Sequence, residues 1–290
     1  MEYGIVIPNL GPNAQPGVME QAAKEAESLG FDAVYVNDHI IIPESESYVP
    51  AAIYDPYVVM ATMIGATERI RIGASVIVIP LRSAALNAKM VATLDHMSGG
   101  RIILGTGVGW IESEMDAVNV DFHKRGAICD EYLDAMHVLW TEDSCSFQGK
   151  FVSFEGMRQE PKPVQNPFPV WVGGNLPQSI RRAARRGTGW MPLNIGEDKF
   201  ADLADSSRKE CESAGRPVGT VCMRIMEGGP TFGGRLMCVG EPERIAADLD
   251  QLAEEGLTQI QFAPTRVKGL DDIVREMRVI AEKVRPLVRH

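Results

Sequence analysis

The chain has 290 residues, a length that suits one large α/β domain or two small ones. Hydrophobic residues make up 45% and charged residues 23%, so the composition is that of an ordinary globular protein that needs no staples. A net charge of −10 argues against nucleic acid or an anionic membrane as the main partner. An anionic ligand must then be held by local groups.

No apolar run reaches the ~18 residues of a membrane span. The opening MEYGIVIPNLG lacks the basic start and long apolar stretch of a secretory signal and reads directly as a strand. Cys129, Cys145, Cys211, Cys222 and Cys238 are odd in number and form no CxxC pair. That points away from a metal site or a disulfide framework and toward a cytoplasmic protein.

Strand-like runs then alternate with helical patterns. Residues 3–8 are a first expected strand, followed by an amphipathic helix over 15–29 that Gly30 closes. FDAVYVN (31–37) is the second strand, and a long loop with Pro43 and Pro50 covers 38–55. A helix over 56–66 leads to the long apolar third strand, IRIGASVIVI (70–79). Helix 83–97 ends at Ser98-Gly99-Gly100, strand four is 101–105, and helix 125–140 follows. Residues 147–160 read as a small hairpin insertion. Strand five (169–172) precedes helix 177–186, and strand six (190–193) precedes helix 197–214. Two segments, 220–226 and 236–239, qualify as strand seven. The last unit is helix 242–255, strand 258–262 and helix 270–284.

Strands joined by helical crossovers imply a parallel sheet. About eight such units predict a closed (β/α)8 TIM barrel, one domain over 1–290 with a small insertion after strand four. An open doubly wound sheet normally has fewer strands and a polar edge, and no edge strand is evident.

In a barrel, chemistry sits where strands run into the following loops. Four places qualify. Asn37-Asp38-His39 ends strand two: a histidine there can exchange a proton near neutral pH, and an adjacent carboxylate can orient it. A loop histidine with no chemistry has the same signature. Gly73-Ala74-Ser75-Val76 puts small residues in a branched strand, which marks a bulge or a planar ligand. Tight packing inside a barrel explains them as well. Gly105-Thr106-Gly107-Val108-Gly109-Trp110 has GxGxG spacing and does not open into a helix, so it is no dinucleotide fingerprint. Its glycines let the backbone pass close to a flat ligand. Gly173-Gly174-Asn175-Leu176-Pro177 leads into a helix and offers free amides for a phosphate, or forms a plain turn. Arg181, Arg182, Arg185 and Arg186 read as one basic face of that helix, either solvated, in a subunit contact, or drawing in a polyanionic tail. The remaining histidines show no metal-ligand spacing.

These places, with AESLGFDAVYVNDH (26–39), ERIRIGASVIVIP (68–80), LDHMSGGRIILGTGVGW (94–110), DFHKRG (121–126) and PVWVGGN (169–175), resemble the luciferase-like monooxygenase superfamily. Within it, the chain resembles the coenzyme F420-dependent oxidoreductases. The resemblance implies a luciferase-like barrel with a non-proline cis peptide in strand three, mapped to Ser75–Val76 behind the flavin ring. It implies that Gly107, Val108 and Gly109 lie along the ring. Gly173, Gly174, Asn175 and Leu176 would hold the ribityl phosphate, and Arg125 would face that phosphate or start its helix with a salt bridge. Asp38 and His39 match a pair that binds cofactor and serves as acid or base. His39 would move the proton while hydride passes between the deazaflavin and a small-molecule substrate. FMN with reduced flavin and oxygen is the alternative, and a homodimer is the implied assembly.

The departures bear on substrate. Where members often have Asp-Gly-Trp at strand six, this chain has Gly187-Thr188-Gly189-Trp190. The basic residues with which sugar-phosphate dehydrogenases hold a substrate phosphate have no evident match. The loop over 40–55, with Tyr48 and Tyr54, and EGGPTFGGR (227–235) are expected to cover the pocket.

Overall fold

The computed structural model describes residues 1–289. In chain order the elements are β1 (Glu2–Val6), α1 (Val18–Ser28), β2 (Ala33–Val36), α2 (Pro56–Ala66), β3 (Arg71–Val78), α3 (Ala84–Ser98) and β4 (Ile102–Gly107). Next come α4 (Glu112–Ala117), α5 (Arg125–Thr141) and the hairpin β5 (Cys145–Gln148) with β6 (Ser153–Met157). Then follow β7 (Val170–Gly173), α6 (Pro177–Arg186), β8 (Gly189–Met191), α7 (Phe200–Ser213), β9 (Thr220–Met226), α8 (Pro242–Glu254), β10 (Gln259–Ala263) and α9 (Leu270–Arg278).

Eight parallel strands close in the order β1-β2-β3-β4-β7-β8-β9-β10, so the expected (β/α)8 barrel is the fold. The hairpin is the insertion after the fourth barrel strand. Among the described residues, no helix is long and apolar enough to cross a membrane.

Helix ends follow local chemistry. Asp55 caps α2 by accepting from the amides of Tyr57 and Val58, and Pro56 fits the first helical position. Ser83 accepts from Leu86 at the start of α3, and Gly99, at φ 69°, closes it. Apolar side chains fill two layers. One lies between strands and helices and includes Met60, Met63, Val91, Leu133 and Leu249. The other fills the barrel with Tyr35, Ile103, Trp171 and Met191. Each such buried side chain contributes roughly 1.5–3 kcal/mol.

One open point is decided and two details differ from the expectation. Of the two candidates for strand seven, 220–226 pairs in the barrel, whereas Leu236 makes only an isolated bridge to Gly196. Helix α4 has no counterpart in the sequence reading. The four arginines of α6 do not share a face: Arg181 and Arg185 are exposed, while Arg182 and Arg186 pair with Asp130 and Asp134 of α5. Residues at positions i and i+4 share a helical face, so the run divides into two such pairs.

Strand β4 packs so closely on β3 that a Cβ on Gly105 would lie 2.0 Å from the carbonyl oxygen of Ala74. Both contacting groups belong to the barrel backbone and cannot move aside independently. Gly105→Ala is therefore expected to destabilise the fold by at least ~1–3 kcal/mol, read as a lower midpoint in urea denaturation. An unchanged midpoint would show that the strands separate more easily than this spacing implies.

Candidate active site

The carboxyl ends of β2, β3, β4, β7, β8 and β9 surround a pocket of about 350 Å³. It brings together Asp38, His39, Ser75, Val76, Gly107, Val108, Gly109, Gly173 and Gly174. A larger cleft of about 670 Å³ lies outside the barrel between α5, α6 and residues 162–168; Arg185 and Arg186 line it, but no residue of the four strand-end candidates does.

Strand β3 bulges at the pocket floor. Its register against β4 shifts between Ala74 and Ile77, and the Ser75–Val76 peptide is cis. The Val76 side chain thereby points toward the neighbouring strands. A Cβ on Gly107 would come 2.5 Å from Val76 Cγ2, and one on Gly173 would come 2.9 Å from Val76 Cγ1. These two glycines make room for the bulge itself, so their absent side chains serve the floor as well as any ligand above it.

His39 is held by a residue that sequence adjacency does not suggest. Its Nδ1 lies 2.9 Å from Glu114 Oε2, while Glu114 Oε1 accepts from the Ile40 amide at 2.7 Å. Glu114 is only 2% exposed although it sits in the short helix α4. A buried carboxylate on Nδ1 fixes the tautomer with the proton there, leaving Nε2 for exchange with a pocket occupant. Trp110 meets the imidazole edge-on at 6.0 Å, and Tyr48, from the expected covering loop, stacks on Trp110.

Asp38 therefore does not orient His39, which corrects the sequence reading. Its side chain is fully buried, accepts both Nη groups of Arg82 at 2.8 and 2.9 Å, and accepts the Val78 amide at 2.9 Å. Arg82 also donates to Asp55. Burial opposes the Arg82 charge, but the two carboxylates hold its pKa above the ordinary value. This triad fixes the β2 loop to the end of β3.

At the far end, the Asn175 side chain is occupied by both backbone groups of Leu193, at 2.7 and 2.9 Å. What this segment can offer an anion is backbone: among the described residues, the amides of Asn175, Leu176 and Gln178 at the start of α6 find no backbone acceptor outside the helix. Among the described residues, Arg125 forms no helix-start salt bridge. It donates to the carbonyls of Gly109 and Phe122 and lies 3.8 Å over the Phe122 ring. Arg182 ties α6 to the Gly126 carbonyl, so α5 and α6 begin side by side.

Arg224 also lines the pocket and was not anticipated. From β9 it crosses the barrel mouth, donating to the Ser75 carbonyl and, at 2.9 Å, to Asn37 Oδ1. Burial lowers its pKa to about 10, so it stays charged at neutral pH. The available signals were a lone arginine in the apolar run TVCMRIM and an acidic helix start, ESEMDA, that follows Trp110-Ile111.

The profile of the luciferase-like monooxygenase family matches residues 1–226. An uncharacterized protein of Mycobacterium tuberculosis, Rv0953c, is 34% identical over 70% of this chain and 77% of its own length. An F420-dependent glucose-6-phosphate dehydrogenase of Kineococcus radiotolerans is 30% identical over 71% of this chain and 61% of its own. An FMNH2-dependent dimethylsulfone monooxygenase of Pseudomonas putida is 33% identical, over 46% of this chain and 37% of its own. Among solved structures, monooxygenase RslO1 of Streptomyces bottropensis superposes with a TM-score of 0.82 at 22% identity over 99% of both chains. An F420-dependent secondary alcohol dehydrogenase gives 0.81 at 18% identity, over 100% of this chain and 99% of its own. With this barrel and the family profile spanning most of its length, the chain belongs to the luciferase-like monooxygenase family, which includes both F420-dependent and FMN-dependent enzymes.

Proposed function

We propose that the protein is an F420-dependent oxidoreductase, a single barrel domain that moves hydride between the deazaflavin coenzyme and a small organic substrate. The His39–Glu114 pair carries the reading: hydride transfer to or from a carbonyl or alcohol leaves a proton to be moved, and His39 Nε2 is placed to move it. The surroundings fit such a coenzyme. The bulge at Val76 gives a floor between Gly107 and Gly173, and the start of α6 offers amides to a phosphate. Arg125 donates to the Gly109 carbonyl, which sets a cation against the glycine loop.

When bound, the coenzyme supplies or takes the hydride. The chain's own part is to hold it against Val76, to exclude water with Trp110 and Tyr48, and to move the proton through His39. The same resemblance extends the proposal to a cytoplasmic homodimer. The F420-dependent relative aligns over 71% of this chain, the FMN-dependent one over 46%, which supports the deazaflavin as first choice.

The second reading is a monooxygenase using reduced FMN and oxygen, as the name of the Pseudomonas relative indicates for that protein; RslO1 is named a monooxygenase. Fluorescence titration of the pure protein with each cofactor separates the two. The expected result is tighter binding of F420, with no oxygen uptake on reduction. Tighter binding of FMN accompanied by oxygen consumption would overturn the proposal.

A further inference from the structure

We infer that Arg224 forms a carboxylate subsite in the substrate half of the pocket, so that the substrate is a small organic anion; this rests on the oxidoreductase reading above. The argument starts from charge. Asp38 is matched by Arg82, and Glu114 is matched by His39 and the amides of Ile40 and Ile41. Arg224 has only neutral partners, the Ser75 carbonyl and Asn37 Oδ1, and its Nε is buried without any hydrogen bond. Among the described residues no carboxylate pairs with it. A buried cation left without a counter-charge is costly, and an anion arriving from outside supplies what the fold withholds.

Position decides which anion. The backbone amides suited to a phosphate lie beyond β7, at the start of α6. Arg224 instead stands on β9 and reaches to β2, two residues from His39. An anion on Arg224 therefore lies beside the proton-exchanging group and away from the phosphate end. A guanidinium has five N–H donors, and two are used, so a planar two-oxygen acceptor suits the remaining Nη hydrogens. The walls around it, Val76, Val108, Met191 and Leu193 among them, are apolar. A carboxylate on a compact apolar body matches both features.

Calorimetric titration of the protein with benzoate and with benzamide, which share a shape and differ in charge, tests this without any coenzyme. Benzoate is expected to bind at least about tenfold more tightly. Arg224→Gln is expected to erase that preference while leaving the affinity for F420 or FMN within about twofold, and Arg224→Lys to keep part of it. A purely structural Arg224 would leave the preference intact in both variants. Equal binding of the two probes by the wild type, no binding of either, or a preference that survives in Arg224→Gln would overturn the assignment. So would loss of coenzyme binding together with the preference, because the charge would then serve the coenzyme. Failure of F420 to bind the wild type sinks the coenzyme reading alone, since the benzoate result is read on the protein by itself.

Discussion

Replacing His39 with alanine is expected to lower turnover by ~100-fold or more while coenzyme affinity changes little, because a positioned acid–base group contributes about that much. The imidazole touches the pocket but is held from behind, through Nδ1, by Glu114. Its removal opens space without disturbing the Val76 floor or the start of α6. Glu114→Gln is the sharper test. An amide nitrogen facing Nδ1 would donate where the carboxylate accepts, so Nε2 would keep the proton it must exchange. The Ile40 amide can still donate to the remaining oxygen, so the loop stays in place. Turnover is expected to fall on the order of 10²–10⁴-fold, with substrate KM nearly unchanged. Steady-state kinetics on both variants, beside coenzyme titrations, give the answer. Wild-type turnover in His39→Ala would leave a barrel that binds a cofactor without proton chemistry at this position.

The contrast between Asp38 and Glu114 shows how far a sequence carries such a site. Asp38-His39 was visible because it ends an apolar strand, but its apparent partnership came from adjacency alone. The real partner of His39 lies 75 residues on, in a helix too short to show apolar periodicity. Arg224 escaped for a related reason: its role comes from barrel closure, which brings β9 to β2 and β3 across separations of 187 and 149 residues. The strands themselves were legible because branched apolar runs alternate with helical patterns that glycines close, as at Gly30 and Gly99. The ambiguity over strand seven had a physical source. Met237 and Cys238 are as buried as strand residues, but the segment is pinned by Asp248, which binds the Cys238 amide and Arg235. Its apolar side chains join the main core, and its backbone enters no barrel ladder.

Arg82→Met is expected to cost the fold ~3–5 kcal/mol, since it removes one member of a buried ion pair and strands the other. Arg82 is 6% exposed and Asp38 0%, so water cannot take over the lost hydrogen bonds. Asp55, at 39%, can turn to solvent, which makes Asp38 the source of the loss. The Val78 amide alone would then face that carboxylate. Asp38→Asn should cost less, because Arg82 keeps Asp55 and lies over the Tyr57 ring. The double variant Asp38→Asn/Arg82→Met should recover part of the loss, because no uncompensated charge is left inside. Urea denaturation of the three variants, at constant dependence on denaturant, measures each cost. A loss below about 1 kcal/mol in Arg82→Met would place the pair among surface-like bridges. The strand ends would then be held by β3 packing, with the ion pair adding little. A full loss would mean that the position of His39 depends on a triad it never touches.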